Sequence, residues 1–442
     1  MPTSSSKRYD NLDKQYINGT WKAGSSGKSA KDVNPFSGKE EIVEWLTVES
    51  GSSYLKSEIE WATARNITLE SASFPSRLHG RILTADRNGK ESRIYRLPIG
   101  VIQVISPWNF PLHLSMRSIV AAIALGNTVV HKPSGDTPIT GGLLIAKILE
   151  EAGLPAGVFN VVVGSSGEIG DYVVLHETPH FVSFTGSTKV GKRLASLAAN
   201  GPMLKQVALE LGGNSPCVVL DDADLDVAVN GAIFGKFLHQ GQICMAINRI
   251  IVDAKIYDRF VDAFTAHAAK IPSGDPENKK TIVGPVINRQ QVDQLTATIE
   301  KARSDGAKET LSGKIDNLLV TPFVFADVDP RAALAMQETF GPVACIIKAN
   351  GEEEALRIAN MTNYGLSSCV FSSNLERAAR FAQKVQAGMT HINDTPVADV
   401  ANAPFGGEKN SGIGRFNGDW ILEEMTTLHW VTVQEKPAPY AF

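Results

Sequence analysis

The stretch GVIQVISPWNFPLHLSMRSIVAAIALGNTVVH, residues 100–131, decides the fold class of this chain. It opens with an apolar run at 100–105, passes through a proline-bounded turn into a helical pattern at 115–125, and closes on a second apolar run at 127–131. Apolar runs separated by a helix are typical of parallel strands that are covered on both faces. The stretch therefore predicts one strand–helix–strand unit of a doubly wound α/β sheet.

The same alternation continues outward from this unit. Around it the pattern predicts strands at 158–163, 181–185 and 207–211, with helices at 137–151, 164–176 and 187–199. A second alternating series predicts strands at 217–220, 249–252, 343–348, 368–371 and 389–393, with helices at 225–238, 257–271, 353–361 and 375–386. This repetition predicts an α/β protein with two doubly wound, mainly parallel sheets.

Length and charge narrow the class of protein. A chain of 442 residues with 43% apolar residues is expected to form two or three domains. The formal net charge of -4 gives no basic footprint for nucleic acid. The N-terminus has no apolar signal core, and the longest apolar run, 119–125, is too short to span a bilayer. We expect a cytoplasmic protein without a membrane or nucleic-acid partner.

The four cysteines are not equivalent. Cys217, Cys345 and Cys369 lie in strand-like apolar runs and are expected to be buried small hydrophobic residues. Cys244 lies instead in the glycine-bounded run Gly-Gln-Ile-Cys at 241–244. No spacing suggests a zinc site or a disulfide framework, so no metal is expected. Cys244 is the candidate for a free catalytic thiol.

Two further segments supply partners for such a thiol. Glu210 stands in Glu-Leu-Gly-Gly, and Asn109 stands in Ser-Pro-Trp-Asn-Phe-Pro. A thiol can attack a carbonyl carbon, an amide can stabilise the resulting oxyanion, and a carboxylate can activate the water that releases the acyl group. We therefore predict that Cys244, Glu210 and Asn109 form a covalent acyl-transfer site.

Together the motifs of the chain resemble the aldehyde dehydrogenase superfamily from about residue 15 to the C-terminus. They occur in the family's order, as PWNFP at 107–111, KPS at 132–134, FTGST at 184–188, ELGG at 210–213, GQIC at 241–244, ETFGPV at 338–343, NYGL at 363–366 and PFGG at 404–407. Two details, ESGSS at 49–53 and SGIGRF at 411–416, are most similar to the benzaldehyde and vanillin dehydrogenase branch. The resemblance implies NAD(P)-dependent oxidation of an aldehyde, in this branch an aromatic one, to the acid.

Two glycine-rich loops follow apolar strands and open helices, which is the context that a dinucleotide site needs. They contribute Gly164 and Gly167, and Gly186, Ser187 and Gly191. The resemblance extends the cofactor set to Ile105, Pro107, Trp108, Lys132, Ser134, Gly135, Leu211, Glu338 and Phe340. Phe340 has an alternative interpretation as an ordinary packing aromatic.

Gly135 departs from the family pattern, because many NAD-preferring members carry Glu after Lys-Pro-Ser. Without that carboxylate, a 2′-phosphate is not repelled and Lys132 could pair with it. We expect use of both NAD and NADP, or a weakened preference for NAD.

A second departure is a gap after Lys39. The resemblance leads there into a strand and two helices, whereas this chain continues at once with Glu-Glu-Ile-Val-Glu-Trp-Leu at 40–46, which is similar to the end of the second helix. Two interpretations remain: the cover of the cofactor domain is absent, or residues are omitted from the sequence. The second is favoured because loss of the helices would expose an apolar patch.

Apolar residues beside the catalytic motifs predict a tunnel suited to an aromatic aldehyde. The tunnel set is Phe110, Leu112, Leu114, Ile243, Met245 and Phe405, with Arg117 as either a polar tunnel residue or a charge on the helix surface.

The expected domains are a discontinuous dinucleotide-binding domain at 1–79 and 98–211, a catalytic domain at 212–414, and a bridging region at 80–97 and 415–442. A polar hairpin around Asn88-Gly89 and an alternating strand at 427–433 form this last region and predict a homodimer or homotetramer.

Two other functions stay open at this stage. A non-catalytic, nucleotide-binding scaffold would fit a chain that truly lacks the helices. A CoA-acylating dehydrogenase is the other, although Glu210 favours water as the acyl acceptor.

Overall fold

The computed structural model describes residues 11–24, 42–437, 439, 440 and 442. Within them the strands are β1 Gln15–Ile17, β2 Thr20–Lys22, β3 Arg81–Leu83, β4 Lys90–Pro98, β5 Val101–Ile105, β6 Thr128–Lys132, β7 Phe159–Val161, β8 Phe181–Thr185, β9 Gln206–Glu210, β10 Ser215–Val219, β11 Ile247–Asp253, β12 Lys308–Leu311, β13 Ile315–Asp316, β14 Leu319–Val320, β15 Phe323–Ala326, β16 Val343–Ala349, β17 Cys369–Phe371, β18 His391–Ile392, β19 Gly412–Ile413 and β20 Thr426–Gln434. The α-helices are α1 Ile42–Ser50, α2 Tyr54–Ser71, α3 Pro111–Ala124, α4 Leu144–Glu151, α5 Asp171–Leu175, α6 Thr188–Asn200, α7 Leu225–Phe237, α8 Tyr257–Ala268, α9 Arg289–Ser304, α10 Ala333–Met336, α11 Glu352–Asn360, α12 Leu375–Ala382 and α13 Gly418–Glu424.

The first sheet has the order β19-β9-β8-β5-β6-β7-β1-β2. Its five central strands are parallel, and the antiparallel strands stand at the two edges. Ile102, Val104 and Val129 in its centre are almost completely buried. Burial on both faces explains why these strands are continuous apolar runs in the sequence.

The second sheet has the order β12-β15-β16-β11-β10-β17-β18, and only its β12 edge is antiparallel. Separate apolar clusters pack on its two faces, one around Phe260 and Phe264 of α8 and one around Leu295 and Ile299 of α9. The fold class predicted from the sequence, α/β with two doubly wound sheets, is therefore confirmed. The exact domain boundaries remain predictions.

A third sheet, β20-β4-β3, joins the polar hairpin to the C-terminal strand. β20 pairs with β4 along its whole length, from Thr426 opposite Pro98 to Gln434 opposite Lys90. The predicted hairpin around Asn88-Gly89 and the predicted C-terminal strand are both confirmed as elements. We call this three-stranded sheet the arm.

Two differences from the sequence prediction have identifiable causes. Helix α3 starts at Pro111, four residues earlier than expected, because proline suits the first position of a helix. The expected helix 137–151 begins as a π turn at Ile139–Leu143, where Gly142 lies close to Pro133 and Val161. The sequence pattern gave no prediction for helix α2 or for the region from α9 to β15. The gap expected after Lys39 lies in residues 25–41, outside the described residues.

The first sheet reverses its strand order at β5, because the chain continues from β5 to β6 on one side and returns with β8 on the other. In open α/β sheets, ligands bind outside the carboxyl ends of the strands at such a switch point. None of the helices in the described ranges is long and apolar enough to cross a bilayer.

Candidate active site

Cys244 lies in a short turn between α7 and β11. The preceding residues His239, Gln240 and Gly241 all have positive φ, which reverses the chain tightly before the cysteine. A side chain at Gly241 is impossible, because a Cβ there would lie 2.4 Å from the carbonyl oxygen of Gly341. The turn therefore requires glycine at the first position of the Gly-Gln-Ile-Cys motif. The side chain of Cys244, at its last position, is partly buried.

The two glycines after Glu210 let the two halves of the site approach each other. A Cβ built on Gly213 would lie 2.1 Å from the carbonyl oxygen of Cys244, and one on Gly212 would lie 2.5 Å from a carboxylate oxygen of Glu338. Real Cβ atoms essentially never come closer than 3.0 Å to such atoms. These two glycines therefore permit a close approach that brings the first sheet to the cysteine turn.

Glu210 is the last residue of β9 and is completely buried. Its Oε2 accepts a hydrogen bond of 3.1 Å from the guanidinium of Arg117, while its Oε1 has no hydrogen-bond partner among the described residues. Arg117 lies between the rings of Phe405 and Phe416. This arrangement fixes one carboxylate oxygen and leaves the other available.

Burial and neighbouring charges shift the ionisation of this pair. Burial raises the pKa of Glu210, and Arg117 opposes that rise. Burial also raises the pKa of the Cys244 thiol well above its usual value, and the negative charge of Glu210 raises it further. The thiol and the carboxylate are therefore close enough to influence each other, and the resting cysteine is held as a thiol.

Asn109 lies just before α3 and is buried beside the cysteine turn. Its side-chain amide donates a hydrogen bond of 3.0 Å to the carbonyl oxygen of Gln242. The following helix N-terminus is held by Glu60 of α2, whose Oε1 accepts from the backbone N–H groups of Leu112 and His113 at 2.8 and 3.1 Å. A carboxylate at a helix N-terminus accepts hydrogen bonds from backbone N–H groups that have no partner within the helix. Its negative charge also interacts favourably with the helix dipole.

An apolar pocket leads to the thiol. It is lined by Cys244 and Asn109, by the predicted tunnel residues Phe110, Leu114, Ile243, Met245 and Phe405, and by Ile59, Thr63, His113, Phe234, Leu238, Val397 and Asp399. Leu112 and Arg117 are not part of this lining. Leu112 packs in the main core of the first sheet.

Both interpretations of Arg117 require correction. It neither lines the tunnel nor lies on the helix surface, because α3 is buried on all sides here and Arg117 is only 1% exposed. It lies behind the pocket, paired with Glu210 and 3.5 Å from Asp399. The helical pattern of the sequence could not show this buried position of Arg117, since α3 packs against both α2 and the sheet.

The residues predicted for the cofactor gather at the carboxyl edge of the first sheet. Ile105 ends β5, Lys132 ends β6, Gly164 follows β7, Gly186 follows β8 and Leu211 follows β9. Pro107, Trp108, Ser134, Gly135, Gly167, Ser187 and Gly191 lie in the segments that continue from these ends. Strands from both sides of the switch point thus contribute, which fits the place where a dinucleotide binds.

Two details of this edge fit a dinucleotide. Ser187 caps α6 by accepting from the N–H of Val190, so the helix N-terminus is formed next to Gly186. A Cβ on Gly191 would lie 2.3 Å from Leu211, so this glycine allows α6 to lie directly on the end of β9. Backbone N–H groups at such a helix N-terminus suit a pyrophosphate.

The other end of this edge meets the second sheet. Glu338 accepts from the N–H of Gly213 at 2.8 Å, and burial raises its pKa to about 7. Phe340 has a positive φ of 49° and meets Trp108 edge to face, with ring centroids 5.5 Å apart. A bulky residue in this backbone region is strained, and such strain clusters at ligand sites.

Sequence reasoning missed three polar residues of the pocket region: Glu60, His113 and Asp399. The spacing of four between His113 and Arg117 was a usable signal, because residues four apart share a helix face. Glu60 and Asp399 come from segments without a recognisable motif, and only tertiary packing brings them here.

The fold brings the thiol of Cys244, the carboxylate of Glu210 and the amide of Asn109 together, as expected for an enzyme that acts on a carbonyl group. The aldehyde dehydrogenase family model matches residues 36–431. The chain therefore belongs to the aldehyde dehydrogenase family and is an oxidoreductase that acts on the aldehyde group.

Several similar proteins are named as dehydrogenases of aromatic aldehydes. The chain is 53% identical to a vanillin dehydrogenase of Corynebacterium glutamicum over 396 residues, covering 90% of this chain and 82% of that protein. It is 43% identical to benzaldehyde dehydrogenase YfmT of Bacillus subtilis over 485 aligned positions, covering 98% and 100%. Since this alignment is longer than 442 residues, it includes positions that have no counterpart here.

Among solved structures, the crystal structure of an NAD-dependent benzaldehyde dehydrogenase from Corynebacterium glutamicum superimposes with a TM-score of 0.89 at 43% identity. It covers 99% of this chain, and the match covers all of that structure. The branch suggested by the sequence motifs is thus the branch in which similar proteins are found.

Proposed function

We propose that this protein oxidises aromatic aldehydes of the benzaldehyde and vanillin type to their acids with a nicotinamide dinucleotide. The observation that carries the proposal is the apolar pocket, with Phe110 and Phe405 in its lining, that ends at Cys244 beside Asn109. The names of the similar proteins support the aromatic class.

In this mechanism, Glu210 takes the proton of the Cys244 thiol and passes it to solvent, the sulfur bonds to the aldehyde carbon, and the carbonyl oxygen becomes an oxyanion. The amide of Asn109, with the backbone N–H of Cys244, stabilises that charge; one such donor is typically worth about 3–4 kcal/mol. A bound nicotinamide would supply the acceptor for the hydride that the substrate carbon releases. What remains on Cys244 is a thioester.

Glu210 then takes a proton from water, which attacks the thioester carbon and displaces the thiolate of Cys244. The acid leaves, and Glu210 gives the proton that it took from water to the thiolate of Cys244. The free Oε1 of Glu210 suits this role because Arg117 occupies Oε2 only. A raised pKa brings a carboxylate closer to the value that a general base needs near neutral pH.

For the cofactor, the carboxyl edge of the first sheet would hold the dinucleotide, with Ser187 and Gly186 at the pyrophosphate and Glu338 and Phe340 at the nicotinamide end. We propose that both NAD and NADP are accepted. A Cβ on Gly135 would meet nothing within 4 Å, so there is open space where other members place a carboxylate. Among the described residues, the ammonium of Lys132 donates only to the carbonyl of Pro133, at 3.1 Å, and it could pair with a phosphate.

The experiment measures formation of the reduced nicotinamide with benzaldehyde or vanillin, with NAD and NADP in parallel, beside Cys244→Ala. A signal that requires Cys244 is expected, without any need for CoA. Gly135→Glu is expected to lower the NADP-to-NAD ratio of kcat/KM, since a carboxylate repels the 2′-phosphate. A CoA requirement would favour the acylating reaction, and nucleotide binding without turnover would favour the scaffold.

We also propose that the arm joins subunits into a dimer or tetramer. Both of its faces expose large apolar side chains: Ile82, Tyr95 and Leu97 on one, Leu428 and Trp430 on the other. A sheet apolar on both faces gains stability by being covered. Ile82→Glu is expected to reduce the mass measured by light scattering, whereas Leu204→Glu, at a residue that is equally 82% exposed outside the arm, is not.

A further inference from the structure

The substrate pocket is mostly apolar. Its polar lining residues besides Asn109 and Cys244 are Thr63, whose hydroxyl donates to the carbonyl of Ile59, and one buried pair of side chains. His113 of α3 and Asp399 both line the pocket, and His113 Nε2 lies 2.7 Å from Asp399 Oδ2. Both side chains are more than nine-tenths buried, at 4% and 8% exposure. A polar pair in an apolar pocket fixes ligand orientation and specificity.

The aspartate is fully occupied by protein groups. Its Oδ1 accepts from the amide of Asn417 at 2.6 Å, and its Oδ2 faces both His113 and Arg117. Burial raises the pKa of Asp399, but His113, Arg117 and Asn417 lower it by more, so the group is a carboxylate. Asp399 therefore accepts from Nε2 and fixes the orientation of the His113 ring.

The second ring nitrogen of His113 has no such partner. Nδ1 is buried and makes no hydrogen bond to any described residue. Buried polar atoms without a partner are rare in native proteins, and each requires an explanation. The Lys56–Glu60 pair nearby does not supply one, since Glu60 binds the backbone N–H groups of α3 and Lys56 binds Glu60.

We propose that His113, oriented by Asp399, is a specificity-determining residue that hydrogen-bonds a hydroxyl group on the aromatic ring of the substrate. A hydroxyl suits Nδ1 because it can donate to a bare nitrogen and accept from a protonated one. The substrate class is then the hydroxybenzaldehydes. This inference rests on the proposed aromatic aldehyde dehydrogenase function.

The test separates recognition from turnover by measuring equilibrium binding on Cys244→Ala protein, which cannot form the covalent adduct. Titration calorimetry compares 2-, 3- and 4-hydroxybenzaldehyde with the matching methylbenzaldehydes, because a methyl group has the size of a hydroxyl but forms no hydrogen bond. At least one hydroxy isomer is expected to bind about tenfold more tightly than its methyl counterpart. His113→Leu in the same background is expected to reduce that ratio to about one.

Two further variants distinguish a specific role from a structural one. His113→Gln keeps an acceptor and is expected to retain part of the hydroxyl preference. Leu114→Met changes an apolar residue of the same pocket and is expected to alter the binding of hydroxy and methyl compounds in parallel. Circular dichroism verifies that each variant is folded.

Equal binding of all hydroxy and methyl pairs, or a preference that persists in His113→Leu, would overturn the inference. Failure of the proposed function has a different signature: protein with Cys244 intact would form no reduced nicotinamide with any of these aldehydes.

Discussion

Gly213 is the position at which a single added carbon has the clearest consequence. In Gly213→Ala the new Cβ would start 2.1 Å from the carbonyl oxygen of Cys244, a backbone atom that cannot rotate away. To reach even 3.0 Å, below which real Cβ contacts essentially never occur, the cysteine turn and the end of β9 must separate by about 1 Å, and a misplacement of this size can cost roughly 10²-fold in rate. We expect kcat to fall by about that factor.

Two other glycines provide graded controls. In Gly212→Ala the Cβ meets the end of the Glu338 side chain at 2.5 Å, which can rotate, so a smaller loss is expected. In Gly170→Ala the nearest atom is 3.7 Å away, an ordinary contact, and kcat should stay close to that of the unmodified protein.

The assay is steady-state formation of reduced nicotinamide, with the thermal midpoint of each variant followed by circular dichroism. Nucleotide binding by the folded variants shows whether the first sheet is intact. If Gly213→Ala is folded and its kcat lies within about twofold of the unmodified protein, the geometric reasoning from a 1 Å displacement is refuted.

Three other outcomes follow from the same site. Glu210→Gln should accelerate iodoacetamide alkylation of Cys244 at neutral pH, because the carboxylate charge raises the thiol pKa; mass spectrometry identifies the modified cysteine, and a slower rate contradicts this. Lys56→Met should lower the free energy of unfolding in urea by about 3–5 kcal/mol, because Glu60 loses its buried partner, and adding Glu60→Gln should restore part of the loss. Asn109→Ala should reduce the single-turnover rate constant by roughly 10²–10³-fold, and an unchanged rate constant would exclude Asn109 from the oxyanion site.

Local sequence patterns were sufficient for the elements that carry the predicted catalytic residues. The strand 181–185 was predicted with the bounds that the structure has, and the ends of β5 and β9 within one residue. These strands are buried on both faces, so each one is an uninterrupted apolar run between polar or glycine-rich turns. Because functional groups in such sheets follow the carboxyl ends of strands, the positions of Asn109 and Glu210 were accessible from the same pattern.

The environment of these residues was decided only by tertiary structure. Arg117 and His113 belong to α3, whose sequence does not show which face contacts which neighbour. The helix is buried against α2 on one side and against the sheet on the other, so no face is marked by exposure to solvent. Asp399, nearly 300 residues away in sequence, becomes their partner through packing alone. A sequence records which side chains are available, but a buried charge is stable only beside its partners, and those partners are chosen by the three-dimensional fold.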